Sequence, residues 1–503
     1  MLTTMPRLPR RNSQMLFLPV LLSVLVCGCD KPAAGTGSQP PKLPTASDDV
    51  PAVYTTNLQM AVYRLRQLPH DYQFANRAPV LSQPTTDRRQ WMVGITKTGY
   101  ATSGHSKPQW DAAMEAVFGA YADYTRKAAN GQNYSNLTNA INAASARGCT
   151  DPFLSYLKVR YGLLPGLSTT EDYALAYAVA FYDMVRSSYH PALKFMAGYR
   201  TCDTARDVKP KPDLTPVLEF TSQALEDLAR DTSAPAAEVF DPATWWSDYS
   251  SNTNWYDYLE KRIVPLLETN WGQEEAWFRF RGNFEIERAW QSRGGGYADT
   301  VKDQAWPLFE KHLASAQSAL ERAWSMNSSN SETAYLMMRA ELGQGQGRPT
   351  MERWFQRTMA LDPNHSKAAN LMAFYLEPRW YGSAQEALKF ARSCVSSTKW
   401  GGQVPLVLPN CHRSLAKYAQ LADSPAYWRQ PGVWEDVRSG YEKFFKLNPE
   451  AVGFRHEYAR DAFACQRYPE FLAQVKMFTR TNHAFFGGEG KFREMVARAS
   501  STQ

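Results

Sequence analysis

The residues whose types best suit chemistry are four acids set among aromatic rings. Glu274, Glu275, Glu285 and Glu287 lie beside a run in which Trp245, Trp246, Tyr249, Trp255, Tyr256, Tyr258, Trp271, Trp277, Phe278 and Phe280 fall within 36 residues. A carboxyl held in an apolar pocket keeps its proton near neutrality and can pass it to a leaving oxygen, as glycan cleavage requires. The same rings could grip a sugar face or an apolar peptide side chain. The plainer reading is that the rings fill the space between packed helices and the acids face water. No Glu-Ser with a following Gly-Leu-Met-Gln is present, as lytic transglycosylases carry, and no GxSxG nucleophile motif. The eight histidines never fall at HExxH spacing and no CxxC occurs, so neither a metal site nor a cofactor is expected.

The elements that must position these residues read as helices. Apolar residues recur at steps of three and four, and alternating strand patterns are scarce. From Trp110 to Lys127, the residues Met114, Val117, Phe118, Tyr121 and Tyr124 share one face. Thr170 to Val185, Leu214 to Arg230 and Asp257 to Leu267 read the same way. Thr300 to Trp324 is the longest candidate, with Thr300 as its cap and Asp303 three residues on. Pro307 fits only the first turns of such a helix, which would move its start a few residues later.

Residues 1–14 are polar and basic, with Arg7, Arg10 and Arg11 and no acid, and Met15 to Val26 is an apolar run interrupted by Pro19. That is the pattern of an export leader, and it falls short of the roughly 20 apolar residues a spanning helix needs. Val26-Cys27-Gly28-Cys29 follows. It resembles the bacterial lipobox, in which the thiol takes a diacylglycerol and a small residue before it admits the signal peptidase. Cys27 departs from the commonest choice at its position. Asn-Ser-Gln after Arg10-Arg11 favours the general secretory route over the twin-arginine one. We therefore expect a lipoprotein signal peptide over 1–28 and lipidation at Cys29. The stretch 29–53, rich in Gly, Pro and small residues, cannot bury a core and reads as a disordered tether. Asp30 directly after the cysteine implies, by resemblance to such lipoproteins, the periplasmic face of the inner membrane in a Gram-negative cell.

Charge narrows the partners. The formal +7 falls to +4 once Arg7, Arg10 and Arg11 leave with the leader, and no dense Lys/Arg cluster occurs in the body. Nucleic acid is therefore not an expected partner, and the lipid is the expected membrane attachment. Five cysteines follow the anchor: Cys149, Cys202, Cys394, Cys411 and Cys465. An odd number leaves at least one unpaired in an oxidising compartment. Cys394 and Cys411 flank a loop-like stretch and are the candidate disulfide; buried free thiols are the competing reading.

Two stretches have repeat character. Glu332 to Pro363 places Tyr335, Met338 and Leu342 on a first helix and Phe355 and Thr358 on a second, then closes with Ala360-Leu361-Asp362-Pro363. It is similar to a tetratricopeptide repeat of about 34 residues. Lys367 to Leu376 and Ser383 to Cys394 form a looser pair. Lys446-Leu447-Asn448-Pro449 repeats the closing signature, and Val452 to Phe463 supplies the next helix. From about Leu266 to Ser397 the chain resembles an uncharacterised domain-of-unknown-function family of bacterial proteins with tetratricopeptide-like helices. The residues that carry this are Arg293, Gly294, Gly295, Gly296, Tyr297, Ala298, Asp299, Thr300 and Val301, then Trp306 and Phe309, then Pro378, Arg379, Trp380, Tyr381 and Gly382. Gly148 to Phe153 also looks similar to such proteins. The resemblance implies a helical fold and no activity. Physically, the three glycines let one helix end and the chain turn, with Thr300 starting the next helix. Their bare amides beside Arg293 could instead hold an anion, although no GxxxxGK[ST] accompanies them. Pro378 to Gly382 reads as a helix stop with an aromatic wedge, or alternatively as a ligand contact.

The expected fold is all-α, a tetratricopeptide-like helical solenoid behind a signal peptide and tether. The body divides into an N-terminal helical region (54–240), a tetratricopeptide-like domain (241–410) and C-terminal helical repeats (411–503). The expected function is a membrane-tethered scaffold that holds another envelope protein or peptide, without catalysis. A small-ligand or glycan binder, or a cell-wall hydrolase, are the alternatives.

Overall fold

The computed structural model describes residues 58–68, 87–126, 131–167, 169–250, 255–294, 298–418, 424–449, 451–478 and 481–502. Cys29 and the stretches expected to be a leader (1–28) and a tether (29–53) lie outside them. Among the described residues every regular element is helical and no strand is present. None of the described helices is long and apolar enough to cross a membrane. The chain forms two compact units, one ending at Glu287 and the other beginning at Arg288.

The first unit holds α1 (Leu58–Arg66), α2 (Arg88–Thr102), α3 (Asp111–Arg126), α4 (Gly131–Ala146), α5 (Pro152–Arg160) and α6 (Thr170–Arg186). It continues with α7 (Pro191–Ala205), α8 (Thr215–Arg230), α9 (Ala236–Ser250), α10 (Trp255–Tyr258) and α11 (Val264–Trp271), the last two joined by a π-helical turn, Leu259–Ile263. α12 (Glu275–Arg293) follows, its residues from Arg288 onward belonging to the second unit. Local chemistry sets the starts. The Asp87 side chain accepts from the Arg89 and Gln90 amides, and Asp151 from those of Phe153 and Leu154 with Pro152 behind it. Thr169 and Asp172 form a reciprocal capping box at α6. From α2 to α8 each helix packs on the next, α1 is laid against α6 and α8, α9 packs on α7 and α8, and α11 packs on α8. The core gathers Trp91, Phe118, Phe153, Phe181, Phe195, Phe240 and Trp246, all buried. At Gly198 a β-carbon would lie 2.1 Å from Thr221 Oγ1, so α7 and α8 touch where only glycine fits.

The second unit holds α13 (Ala305–Met326), α14 (Ser331–Gln344), α15 (Arg348–Leu361), α16 (Ser366–Tyr375), α17 (Ala384–Ser396) and α18 (Val407–Tyr418). Beyond these lie α19 (Ser424–Trp428), α20 (Val433–Leu447), α21 (Arg455–Ala464), α22 (Tyr468–Val475) and α23 (Glu489–Ser501). From α13 to α18 each helix packs on its successor, and α14, α16 and α18 also pack in series on one another. α13, α15 and α20 end alike. Asn327, Asp362 and Asn448 stand at the C-cap with φ of −147°, −136° and −136°, and Met326, Leu361 and Leu447 before them are exposed.

Three expectations change. Thr300 does not cap the long helix: it lies in a 3-10 turn, and α13 starts at Ala305 after Gln304. Pro307 then falls in the first turn, where its missing N–H costs no hydrogen bond. No bond joins Cys394 to Cys411. All five cysteines are free thiols, four of them buried like small hydrophobes, and burial pushes Cys411 and Cys465 up to about 12. The boundaries expected at 240 and 410 fall within α9 and α18.

Candidate functional site

In the first unit most of the aromatic run is packing, with Trp245 left exposed. Trp246, Tyr256, Trp271, Trp277 and Phe280 are buried, and Tyr256 stacks on Phe284 at 4.9 Å. The acids beside it do not converge on an apolar pocket. Glu274 is exposed, Glu275 pairs with Arg279 at 3.3 Å, and buried Glu285 pairs with Arg281 at 2.5 Å. Buried charge appears instead as two rungs between α7 and α8. His190 Nδ1 accepts from the Ala192 amide at 3.2 Å, so Nε2 carries the proton and donates to Asp231 at 2.9 Å. One turn along, Lys194 lies within electrostatic reach of Asp227; burial pushes it down to about 8, and Asp227 offsets part of that.

In the second unit the two sequence motifs meet. Arg293, buried at the end of α12, lies between the Trp290 ring (5.7 Å) and the Trp306 ring (5.3 Å). Burial alone pulls its guanidinium down to about 10. Trp290 in turn meets Phe309 edge-on at 5.0 Å and Trp380 at 6.2 Å. Gly294 ends α12 at a φ of 76°, the left-handed conformation expected there. Gly295, Gly296 and Tyr297 lie outside the described residues. On the other side, Arg379 covers the Phe374 ring at 4.6 Å and donates to Glu377 (2.7 Å) and to Ser414 Oγ on α18 (2.8 Å). Tyr381 stacks on Tyr375 at 4.5 Å and donates to the Leu342 carbonyl. Gly382 is required, since a β-carbon would fall 2.3 Å from the Leu376 carbonyl oxygen. The motifs thus pin α12, α13, α14, α16 and α18 together.

Sequence reasoning passed over two features of this unit. Glu341, on α14, is buried, yet it shares a face with Ala334 and Met338, which is the signal that could have found it. One carboxyl oxygen accepts from the Gly347 amide at 2.8 Å, while the other oxygen and the buried Tyr375 hydroxyl have no hydrogen-bond partner. Burial outweighs the backbone hydrogen bonds and pushes Glu341 up to about 7. The second feature is a cleft of about 340 Å³ between α17, α18 and the start of α20, with Pro378 at its edge. Arg392 grips Asp436 through Nε and Nη2 at 2.8 to 3.0 Å. His412 bridges Asp436 (3.0 Å) and the Tyr427 hydroxyl (2.8 Å). Burial would raise Asp436, but the hydrogen bonds from His412 and Arg392 outweigh it and hold the carboxyl below its ordinary value. Nothing in their sequence spacing announces these four residues.

No family model matches the chain, and no curated protein matches it. Among the described residues no group of three or more His, Cys, Asp or Glu could hold a metal ion.

Proposed function

We propose that the chain is a lipid-anchored envelope protein whose second unit stacks tetratricopeptide-like helix pairs into a scaffold for another envelope protein or peptide. The observation that carries this reading is the packing order of that unit. α14 with α15, and α16 with α17, are successive pairs, and the first helix of each pair also packs on the first of the next. Stacked two-helix repeats bury their faces in this way. The like endings of α13, α15 and α20 support the same reading, with Met326, Leu361 and Leu447 exposed at equivalent points. The leader and Cys29 supply the anchor, and the low net charge suits a protein partner more than a nucleic acid.

The anchor has a direct test. Cys29→Ser should move the protein wholly from the membrane to the soluble fraction while its helical circular-dichroism spectrum stays unchanged. Sedimentation of the serine variant with membranes at high salt would refute lipidation as the tether. The scaffold is tested by photo-crosslinking in living cells from Leu361 and Leu447. Reproducible capture of one envelope protein is expected; no capture from a folded, anchored protein would sink this reading.

A further inference from the structure

We propose that the cleft between α17, α18 and α20 binds an apolar residue of an extended, uncharged peptide segment, its side chain in the cleft and its backbone amide across Arg392 and Tyr427. The proposal rests on the scaffold reading and names the chemistry of the partner at one place. The walls are mostly apolar, with Pro378, Ala384, Leu388, Leu415, Pro431 and Val433, and Gln430 adds one further polar side chain. A volume of about 340 Å³ lies at the small end of ligand sites, enough for one large side chain and its peptide unit.

The polar end decides what the backbone must offer. Asp436 has only acceptor oxygens, so His412 donates to it through Nε2. In the neutral imidazole Nδ1 then accepts the Tyr427 proton, which leaves the Tyr427 oxygen, on the cleft wall, as an acceptor. Arg392 spends Nε and Nη2 on Asp436, and Nη1 has no protein partner. A donor and an acceptor lining one cleft match the C=O and N–H of an amide. Charge argues against the other ligand classes. Asp436 already balances Arg392, so a ligand carboxylate would bring a second anion to a single cation. A ligand ammonium would find no uncommitted acid.

The probe is N-acetyl-leucine amide, titrated into the full mature chain and followed by ligand-observed NMR. N-acetyl-leucine and leucine amide serve as the anionic and cationic comparisons. The neutral amide should bind saturably at about 1 mM, as an efficiency near 0.3 kcal/mol per heavy atom implies for a ligand of this size. The charged analogues should bind at least tenfold more weakly. Leu388→Trp, which fills the cleft, should abolish binding; Ala384→Leu narrows the same wall from an exposed position and guards against a folding failure. Tyr427→Phe should weaken binding several-fold. Equal binding of the three probes, or wild-type binding by both folded cleft variants, would overturn the proposal. If the amide binds but no cellular protein is captured, the scaffold reading falls and the cleft stands; if a protein is captured but the amide does not bind, the cleft proposal falls and the scaffold stands.

Discussion

Replacing Arg413 with alanine lowers the unfolding free energy of the second unit by about 3–5 kcal/mol, the loss expected when one partner of a buried ion network is removed. Arg413, on α18, donates to Asp461, to Glu457 at 3.1 Å, to the Tyr441 hydroxyl at 3.0 Å and to Asn410. Tyr441 itself donates to Asp461 at 3.0 Å, and Asn410 to Asn370 on α16 at 2.9 Å. Burial works against the guanidinium charge, but Asp461, Tyr441 and Glu457 outweigh it and hold its pKa above the ordinary value. Without Arg413 the nearly inaccessible Asp461 keeps only the tyrosine hydrogen bond and a weak contact from Arg460. Urea unfolding followed by circular dichroism measures the loss. A second substitution, Asp461→Leu, should recover much of it, because an apolar pair avoids the stranded charge. A loss below about 1 kcal/mol for the alanine variant would show that the network is solvated and adds little.

Glu341→Gln should stabilise the second unit by up to about 3 kcal/mol at pH 8 and leave it nearly unchanged at pH 4. The sign follows from proton uptake. Glu341 titrates at about 7 in the folded protein and near 4.5 when exposed, so between those values the folded state holds more protons than the unfolded one. Its contribution is therefore fully present below pH 4.5 and is lost as the pH rises to 7. Glutamine keeps the carbonyl that accepts from Gly347 and puts an uncharged N–H₂ where the unpaired oxygen stood. Urea midpoints at pH 4, 6 and 8 should separate progressively between the two proteins. Parallel curves would mean that water satisfies the carboxylate.

What the sequence made legible is what repeats. The three-and-four spacing located α3, α6 and α8 to within a residue or two, because a face buried along a whole helix marks many positions at once. The motifs around Arg293 and Trp380 were legible as motifs, but the contact that joins them, Trp290 against Trp380 across 90 residues, was not. Single events were not. Thr300 is a good cap residue, but Trp306 and Pro307 were free to begin the helix later, and propensity could not rank the two starts. Glu341 and the Asp436 cluster depend on which side chains lie opposite, and that is fixed by packing between elements rather than by spacing along one.

The two rungs between α7 and α8 bear on how those helices find their alignment. In the native pairing His190 meets Asp231 and Lys194 lies within electrostatic reach of Asp227, with Gly198 passing Thr221 further along. Slide one helix by a turn, so that His190 comes opposite Asp227, and Lys194 comes opposite Gln223. A buried ammonium would then lack a carboxylate, and a side chain larger than hydrogen would press on Thr221. An interface of apolar residues alone would tolerate such a slip at little cost, whereas a charge and a gap spaced along it make every neighbouring alignment expensive. The polar residues buried there act as a ruler between α7 and α8.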